Sequence, residues 1–201
     1  TDTFTYKAND GTADSNTATV TITVTAANDA PTVTVAAGGS CGANSRSGTI
    51  NLTVADVDDP ASSLVLSVSS SNTALVPNAN VVFGGSGAAR TLSATAVSGQ
   101  TGTATLTVTV SDGDAQSTVL VTVKVAGNGN NTVTGTEGAD MIFAQNGNDT
   151  VIGLGGNDLL CGGRGDDTLT GGTGADHFSG GPGTDTATDF NTGEGDTTDG
   201  T

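Results

Sequence analysis

The sequence predicts an all-β protein in two parts, a sandwich of short strands followed by a glycine-rich repeat array. Three observations support this prediction. Threonine alternates with valine over long stretches of residues 1–125, which favours strands over helices. No apolar residues recur at helical spacing. From residue 126 onward, glycine and aspartate recur every nine residues, as in stacked repeat proteins.

Composition limits the kind of core that the chain can build. Its 201 residues suffice for about two ordinary domains. They include 31 glycines, five phenylalanines, one tyrosine and no tryptophan. So few large side chains make a conventional globular core hard to form, and a thin, repetitive core is expected instead.

Residues 1–31 are predicted to be the last hairpin of a sandwich domain and a linker. Phe4, Tyr6 and Ala8 alternate with polar residues, residues 9–11 (NDG) mark a turn, and alternation resumes over residues 17–25. The linker follows at residues 26–31 (AANDAP). Because the hairpin lacks the rest of a sandwich, we expect the chain to be part of a longer protein with tandem domains.

Residues 32–125 are predicted to form one complete sandwich of seven strands. Clusters of Gly, Pro, Asn, Asp and Ser separate the candidate strands, and Asp112-Gly113 forms a tight turn before the last one. The spacing fits an immunoglobulin-like sandwich. The candidates are Thr32–Ala36, Thr49–Ala55, Leu64–Ser69, Val81–Phe83, Thr91–Val97, Thr103–Val110 and Ser117–Val125.

Two segments of this region, TFTYKANDGTADSNTATVTITVTAANDAPTV and SNTALVPNANVVFGGSGAARTLSATAVSGQTGTATLTVTVSDG, resemble the cadherin-like and immunoglobulin-like repeats of large bacterial surface and secreted proteins. The resemblance implies a spacer or adhesive role with a protein or cell-surface partner. In cadherins such linkers help to hold calcium, and the comparable residues here are Asn28 and Asp29, with Asp56 and Asp58. The alternative is that these four residues only form turns at the domain ends.

From Ala126 to Thr188 the chain divides into seven nonads: AGNGNNTVT, GTEGADMIF, AQNGNDTVI, GLGGNDLLC, GGRGDDTLT, GGTGADHFS and GGPGTDTAT. Position 4 is always glycine, position 6 is an acid in all but the first, and position 8 is apolar. Positions 7–9 have strand character with one inward side chain, and positions 1–6 form a turn in which glycine tolerates positive φ. Residues 189–201 follow as an acidic cap or tail, in which Phe190 is expected to cover the core while Asp189, Glu194 and Asp196 either add ligands or belong to a frayed tail.

The array resembles the GGxGxDxUx repeats of the repeats-in-toxin (RTX) family. The resemblance implies a parallel β-roll in which two nonads form one coil and Ca²⁺ binds between successive turns. The implied ligands are position-6 side chains and turn carbonyls. They come from Asn131, Asp140, Asp149, Asp158, Asp167, Asp176 and Asp185, together with Gly138, Gly147, Gly156, Gly163, Gly165, Gly172, Gly174, Gly181 and Gly183.

Stacking would place the position-6 residues of alternate nonads in two columns with at most five sites between them. Carboxylates about 5 Å apart repel by about 3 kcal/mol at an effective dielectric constant near 20, which a calcium ion between them would remove. The last three nonads have the full GGxGxD, whereas Thr136, Gln145 and Leu154 replace the second glycine earlier. We therefore expect the tightest site between Asp167 and Asp185, and the weakest between Asn131 and Asp149.

Charge and motifs restrict the remaining functions. The net charge is −16, with twelve acids and one base after residue 125, which disfavours nucleic acid and anionic membranes as partners. No membrane-inserting segment or catalytic motif is present in the sequence, and we expect no enzymatic activity. His177 is expected at a solvated or edge position. Cys41 and Cys161 match neither a disulfide framework nor a zinc pattern, and a bond between them would require both parts to fold together.

Three functions remain open. The first is a secreted or cell-surface protein whose array folds when it meets external calcium and whose sandwich domains act as spacers or adhesive domains. The second is the non-catalytic end of a secreted enzyme whose active site lies upstream. The third is a passive structural stack that needs no ion.

Overall fold

The computed structural model describes residues 1–25, 27–43 and 45–199. Within these residues the only helical element is a 3₁₀ turn at Asn78–Asn80, so the prediction of an all-β chain is confirmed. No helix there has the length and apolar character needed to cross a membrane. Ala26 of the predicted linker and residues 200 and 201 of the tail lie outside the described residues.

Seventeen strands are formed by the described residues. In the first part they are β1 (Asp2–Tyr6), β2 (Ala18–Ile22), β3 (Thr32–Cys41), β4 (Ser47–Ala55), β5 (Val65–Ser70), β6 (Val81–Ser86), β7 (Ala89–Thr95), β8 (Gly102–Ser111) and β9 (Gln116–Val125). In the second part they are β10 (Thr132–Thr136), β11 (Asp140–Phe143), β12 (Thr150–Gly155), β13 (Leu159–Cys161), β14 (Thr168–Thr173), β15 (His177–Ser179), β16 (Thr186–Ala187) and β17 (Thr197–Thr198).

The predicted N-terminal hairpin is present. Strands β1 and β2 pair antiparallel, with Phe4 opposite Val20. Gly11 takes φ +94° in the connecting turn, as the NDG sequence predicts. Phe4 and Tyr6 are each about half exposed, so the apolar side chains of the hairpin are not covered by the rest of the described chain.

Strands β3 to β9 form two antiparallel layers, one ordered β3-β4-β7-β6 and the other β5-β8-β9. Their inward residues share one apolar core that includes Ile50, Leu92, Leu106 and Val121. All seven predicted strands are present. The largest difference is β3, which continues to Cys41 past an irregularity between Ala36 and Gly39 and there pairs with the start of β4.

The glycine-rich array forms a parallel β-roll, as predicted. One sheet is β10-β12-β14-β16, and the other contains β11-β13-β15-β17. Thr132 pairs with Thr150, which pairs with Thr168, so each coil takes 18 residues, or two nonads. The position-8 residues fill the interior, where Ile142, Val151, Leu160, Leu169 and Phe178 are fully buried. Phe190 packs edge-on against Phe178 at a centroid distance of 5.9 Å, in the predicted capping position.

The two parts share a sheet. Strand β9, the last of the sandwich layer, pairs in parallel with β11, and Val123 lies opposite Met141 at the same 18-residue offset as the coils. The result is a seven-stranded sheet ordered β17-β15-β13-β11-β9-β8-β5. At this junction the Lys124 ammonium donates hydrogen bonds to the carbonyl oxygens of Thr134 and Gly135, the latter at 3.3 Å. The first part therefore provides the starting strand of the roll.

The outer face of β11 and β13 packs on the sandwich. Met141, Phe143 and Leu159 belong to the sandwich core and not to the roll interior. Cys161 of β13 forms a disulfide with Cys41 of β3, with the two Cα atoms 5.9 Å apart. The expectation that these cysteines form no disulfide framework is thus wrong, because the shared sheet brings residues 120 positions apart into contact.

Candidate metal centre

The position-6 side chains form two hydrogen-bonded columns along the edges of the roll. In each column, the backbone N–H of one position-6 residue donates to the Oδ1 atom of the aspartate one coil later. The bond from Asp140 to Asp158 is 2.9 Å, and the bond from Asp158 to Asp176 is also 2.9 Å. In the other column, Asn131, Asp149 and Asp167 donate in the same way at 2.7–2.8 Å. The structure therefore brings together all seven predicted position-6 residues in two columns.

The second oxygen of these carboxylates has no partner. Asp149, Asp158, Asp167 and Asp176 are at most 3% exposed, and in each the Oδ2 atom is buried without a hydrogen bond. In Asp140 the buried atom without a hydrogen bond is Oδ1. A buried charged oxygen without a partner is strongly unfavourable. A cation beside these oxygens would supply the missing partner.

Position-1 glycines bring backbone oxygens close to these carboxylates. A Cβ atom at Gly153 would collide with Asp158 Oδ2 and with the carbonyl oxygen of Gly171 in the next coil. A Cβ atom at Gly162 would collide with Asp167 Oδ2 and approach the carbonyl oxygen of Gly180 at 2.9 Å. The unpartnered oxygens therefore lie next to carbonyl oxygens. The position-1 glycines were not among the predicted site residues, although glycine occupies position 1 in five of the seven nonads.

Without a cation these carboxyl groups are hard to ionise. Burial, together with smaller contributions from repulsion by the neighbouring Asp140 and Asp176, raises the pKa of Asp158 to about 8. Burial also raises the pKa of Asp167 and Asp176 to about 6. Because both causes disfavour negative charge, a bound cation would offset both.

Comparison with protein families identifies the array. A family model of the RTX calcium-binding nonapeptide repeat matches residues 125–160 and 162–187 in four copies. This region is an array of RTX repeats. Such repeats imply calcium binding. Comparisons with curated proteins and with solved structures gave no match.

The oxygen donors of the RTX array suit calcium. Ca²⁺ takes six to eight oxygen ligands at about 2.3–2.6 Å, from carboxylates and carbonyls alike. Mg²⁺ requires a tighter octahedron, and Zn²⁺ prefers nitrogen and sulfur. No group of three or more His, Cys, Asp or Glu side chains converges within the described residues, so any ion in the array needs backbone carbonyls besides its carboxylates.

Turn geometry explains the glycines of the repeat. Position 4 has positive φ at Gly129, Gly147, Gly156, Gly165, Gly174 and Gly183. Gly138 is not among the positive-φ residues, because its turn is built differently. There the Thr136 hydroxyl accepts a hydrogen bond from the Gly138 N–H, and the Thr136 N–H donates to Asp140 Oδ2 at 2.6 Å.

Position 2 also has positive φ from the third nonad onward. Gly163, Gly172 and Gly181 adopt it readily, with φ between +94° and +108°. Gln145 and Leu154 adopt it at +80° and +85°, although side chains disfavour this region. The turn geometry is therefore imposed by stacking even where glycine is absent.

The two ends of the RTX array differ from its middle. The Asn131 amide donates to the carbonyl oxygens of Gly127, at 2.9 Å, and Gly129, so these oxygens are satisfied without an ion. At the other end, Asp196 accepts a hydrogen bond from Asp176 N–H at 2.9 Å and extends the column past a two-residue insertion. Strict nonad counting would place Glu194 there. Asp189 does not continue either column; its carboxylate accepts hydrogen bonds from the backbone N–H groups of Gly171 and Gly172.

Two other candidates lie outside the columns. Asn28 donates to Asp112 Oδ2, and Asp29 N–H donates to Asp58 Oδ2, both at 2.9 Å, so the linker is fastened to the loops at this end of the sandwich. His177 is buried, with Nδ1 2.8 Å from the Thr197 hydroxyl. The expectation of a solvated or edge histidine is wrong, since His177 is only 6% exposed.

Proposed function

We propose that the RTX array binds calcium ions between successive turns and that this binding drives folding of the array. The observation that carries the proposal is the series of buried carboxylate oxygens without partners at Asp149, Asp158, Asp167 and Asp176. Each coil repeats the same unfavourable arrangement, and a divalent cation between coils relieves it. Folding and binding then form one equilibrium, because the unfolded chain has no preformed site.

The sites are assigned to pairs of position-6 residues one coil apart. These pairs are Asn131–Asp149, Asp149–Asp167, Asp167–Asp185, Asp140–Asp158 and Asp158–Asp176. The Asn131–Asp149 site is the weakest, since the Asn131 amide already satisfies two turn carbonyls and contributes no charge. The Asp167–Asp185 site has the full repeat on both sides. Its turn at residues 181–184 is exposed, which reduces the advantage over the central sites.

The chain is proposed to belong to a secreted or cell-surface bacterial protein. The array would stay unfolded at low calcium during export and fold outside the cell, where calcium is abundant. The RTX match supports this location, because such repeats typically occur in secreted bacterial proteins. Calcium would thus act as the signal that the chain has left the cell.

The sandwich is proposed to be an immunoglobulin-like spacer or adhesive domain. Its layers, β3-β4-β7-β6 and β5-β8-β9, have the strand order ABED and CFG of constant-type immunoglobulin domains. Its last strand, β9, also pairs with β11 and so joins the sandwich layer to one sheet of the roll. This domain would therefore position the array as well as contact a protein or cell-surface partner.

The second candidate is the non-catalytic C-terminal region of a secreted enzyme. In both cases the function of this chain itself is calcium binding, not catalysis. A catalytic motif in the preceding sequence of the full-length protein would favour the enzyme, whereas further sandwich repeats would favour adhesion.

A matched pair of charge variants tests the proposed sites. Asp158→Asn keeps the Oδ1 acceptor for the Asp140 N–H but removes one charge from two proposed sites. Asp166→Asn removes a charge from an exposed neighbour of the column and likewise keeps its Oδ1 acceptor for Thr184 N–H. Equilibrium dialysis should show fewer calcium ions bound per chain for Asp158→Asn and an unchanged number for Asp166→Asn. If both variants lose the same number of bound calcium ions, net charge alone explains the effect and the assigned sites are wrong.

A further inference from the structure

A polar cleft lies where the sandwich meets one edge of the roll. Its volume is about 570 Å³, which falls within the range of small-molecule sites. One wall includes Ala43, Ser45 and Arg46. The other wall includes the position-3 side chains of the odd nonads, Asn128, Asn146, Arg164 and Pro182. Ligand sites commonly occur at such junctions between two folded units.

The charge of the cleft is opposite to that of the chain. The protein has 21 acidic and five basic residues, yet Arg46 and Arg164 line the cleft and no acid does. No carboxylate among the described residues lies within ion-pair distance of the Arg164 guanidinium. A guanidinium is suited to carboxylate recognition, because its planar fork donates two parallel hydrogen bonds.

Several lining groups are held in place. Arg46 Nη1 donates to the carbonyl oxygens of Gln100, at 3.1 Å, and Val97, at 3.5 Å, so backbone groups behind the lining hold this end of its guanidinium. Asn146 Nδ2 donates to Asn128 Oδ1 at 2.7 Å, so the two amides form a ladder along the other wall. Amides and the Ser45 hydroxyl both donate and accept hydrogen bonds, as sugar hydroxyls do. The lining thus combines anion recognition with partners for hydroxyl groups.

We propose that this cleft binds a carboxylated sugar unit, with Arg164 and Arg46 on the carboxylate and the Asn128–Asn146 ladder on the hydroxyl groups. The proposal names the ligand class of the adhesive role and rests on that proposed function. An acidic surface glycan presents such units on a partner cell.

Calcium gates this site. Arg164 lies beside Asn146 only after the coils stack, since a parallel bridge between these two residues belongs to neighbouring coils. The Cys41–Cys161 disulfide lies next to the cleft and ties the two walls together. Unfolding of the array by calcium removal would leave the two walls tethered by this disulfide, but it would remove the stacked arrangement of Asn128, Asn146 and Arg164 and so abolish binding.

The test uses the oxidised full chain with saturating calcium and free glucuronate as the probe, titrated by NMR. Glucose and glutamate serve as a sugar without the carboxylate and a carboxylate without the sugar. Glucuronate should bind saturably, and each control ligand should bind at least tenfold more weakly. Arg164→Gln should weaken glucuronate binding at least tenfold, whereas Lys7→Gln, the same charge change on the exposed N-terminal hairpin, should leave it unchanged.

Three results would overturn the proposal: no glucuronate binding, equal binding by Arg164→Gln, or equal binding of glutamate. Circular dichroism on each sample separates this failure from failure of the proposed function. If the array stays folded in chelator and still binds glucuronate, calcium-driven folding and the calcium gate are wrong while the ligand assignment stands. If the array folds only with calcium but binds no glucuronate, the ligand assignment alone is wrong.

Discussion

Leu154 provides the sharpest test of how stacking imposes backbone conformation on the array. It stands at repeat position 2 with φ +85°, where three later nonads have glycine. The left-handed region costs an ordinary residue about 1–2 kcal/mol. Glycine avoids that cost but lowers the free energy of unfolding by about 0.4–1 kcal/mol, because it increases the conformational entropy of the unfolded chain.

The comparison that isolates this cost is Leu154→Ala against Leu154→Gly. Both variants remove every atom beyond Cβ from a side chain that is 38% exposed, so they differ in one methyl group and in backbone conformational preference. The glycine variant should be more stable than the alanine variant by about 0.5–1 kcal/mol, the difference between the two costs above. At an ordinary position the order is reversed, since glycine within an element costs about 0.5–1 kcal/mol relative to alanine.

Calcium-saturated thermal or urea unfolding measures the two free energies. Ala139→Gly is the control, because Ala139 lies in the array outside the positive-φ residues and should follow the ordinary order. If Leu154→Ala proves as stable as Leu154→Gly or more so, the turn does not hold position 2 in the left-handed region, and the reasoning fails.

Three further predictions follow from the same structure. Gly172→Ala should destabilise the folded array by about 2 kcal/mol or more, as measured by urea unfolding. Gly172 has φ +102°, and a Cβ atom there would collide with the Leu154 carbonyl oxygen. An unchanged free energy of unfolding would contradict the stacked turn. Replacing both Cys41 and Cys161 by serine should lower the free energy of unfolding by about 4–5 kcal/mol, because the disulfide closes a long loop and restricts the unfolded chain. The oxidised and the reduced wild type provide the comparison. Equal unfolding midpoints for these two forms would contradict the bond. In chelator, the folded fraction of the array, followed by circular dichroism, should increase as pH falls from 8 to 5, because the pKa of Asp158 is raised to about 8 in the folded state, so the folded state binds more protons than the unfolded state across this window. With calcium bound the trend should reverse, since protons compete with the ion, and a parallel trend in both conditions would count against ionised carboxylates as ligands.

The sequence predicted much of this molecule because its strongest signals are local. Alternation fixes which residues of β3 to β9 face the core, and a nine-residue period fixes the inward position 8, as at Leu160 and Leu169. The two columns of position-6 side chains follow from the same period. Glycine at position 4 follows from the turn that each repeat requires.

What the sequence did not predict depends on packing between distant segments. Met141, Phe143 and Leu159 are apolar at positions 7 and 9 of even nonads, whereas the odd nonads mostly have threonine there. This difference marks the face of the roll that the sandwich covers. It can be interpreted only once β9 is known to pair with β11. The Cys41–Cys161 bond and the buried His177 result from the same contact.

Asp196 shows a second limit. It continues the even column two residues later than the repeat predicts, since the chain loops out before it reaches its place beside Asp176. An insertion shifts the register of all residues that follow it, so a fixed nine-residue period cannot locate Asp196. Only the paired backbone of β15 and β17 identifies it.

We propose above that the buried carboxylate columns need calcium in order to fold. Far-ultraviolet circular dichroism of the whole chain, first in chelator and then titrated with calcium to millimolar concentration, tests it most directly. We expect a partly unfolded chain in chelator and a cooperative gain of β signal on addition of calcium, with magnesium unable to replace calcium. A spectrum in chelator that already matches the calcium-saturated one would contradict the claim.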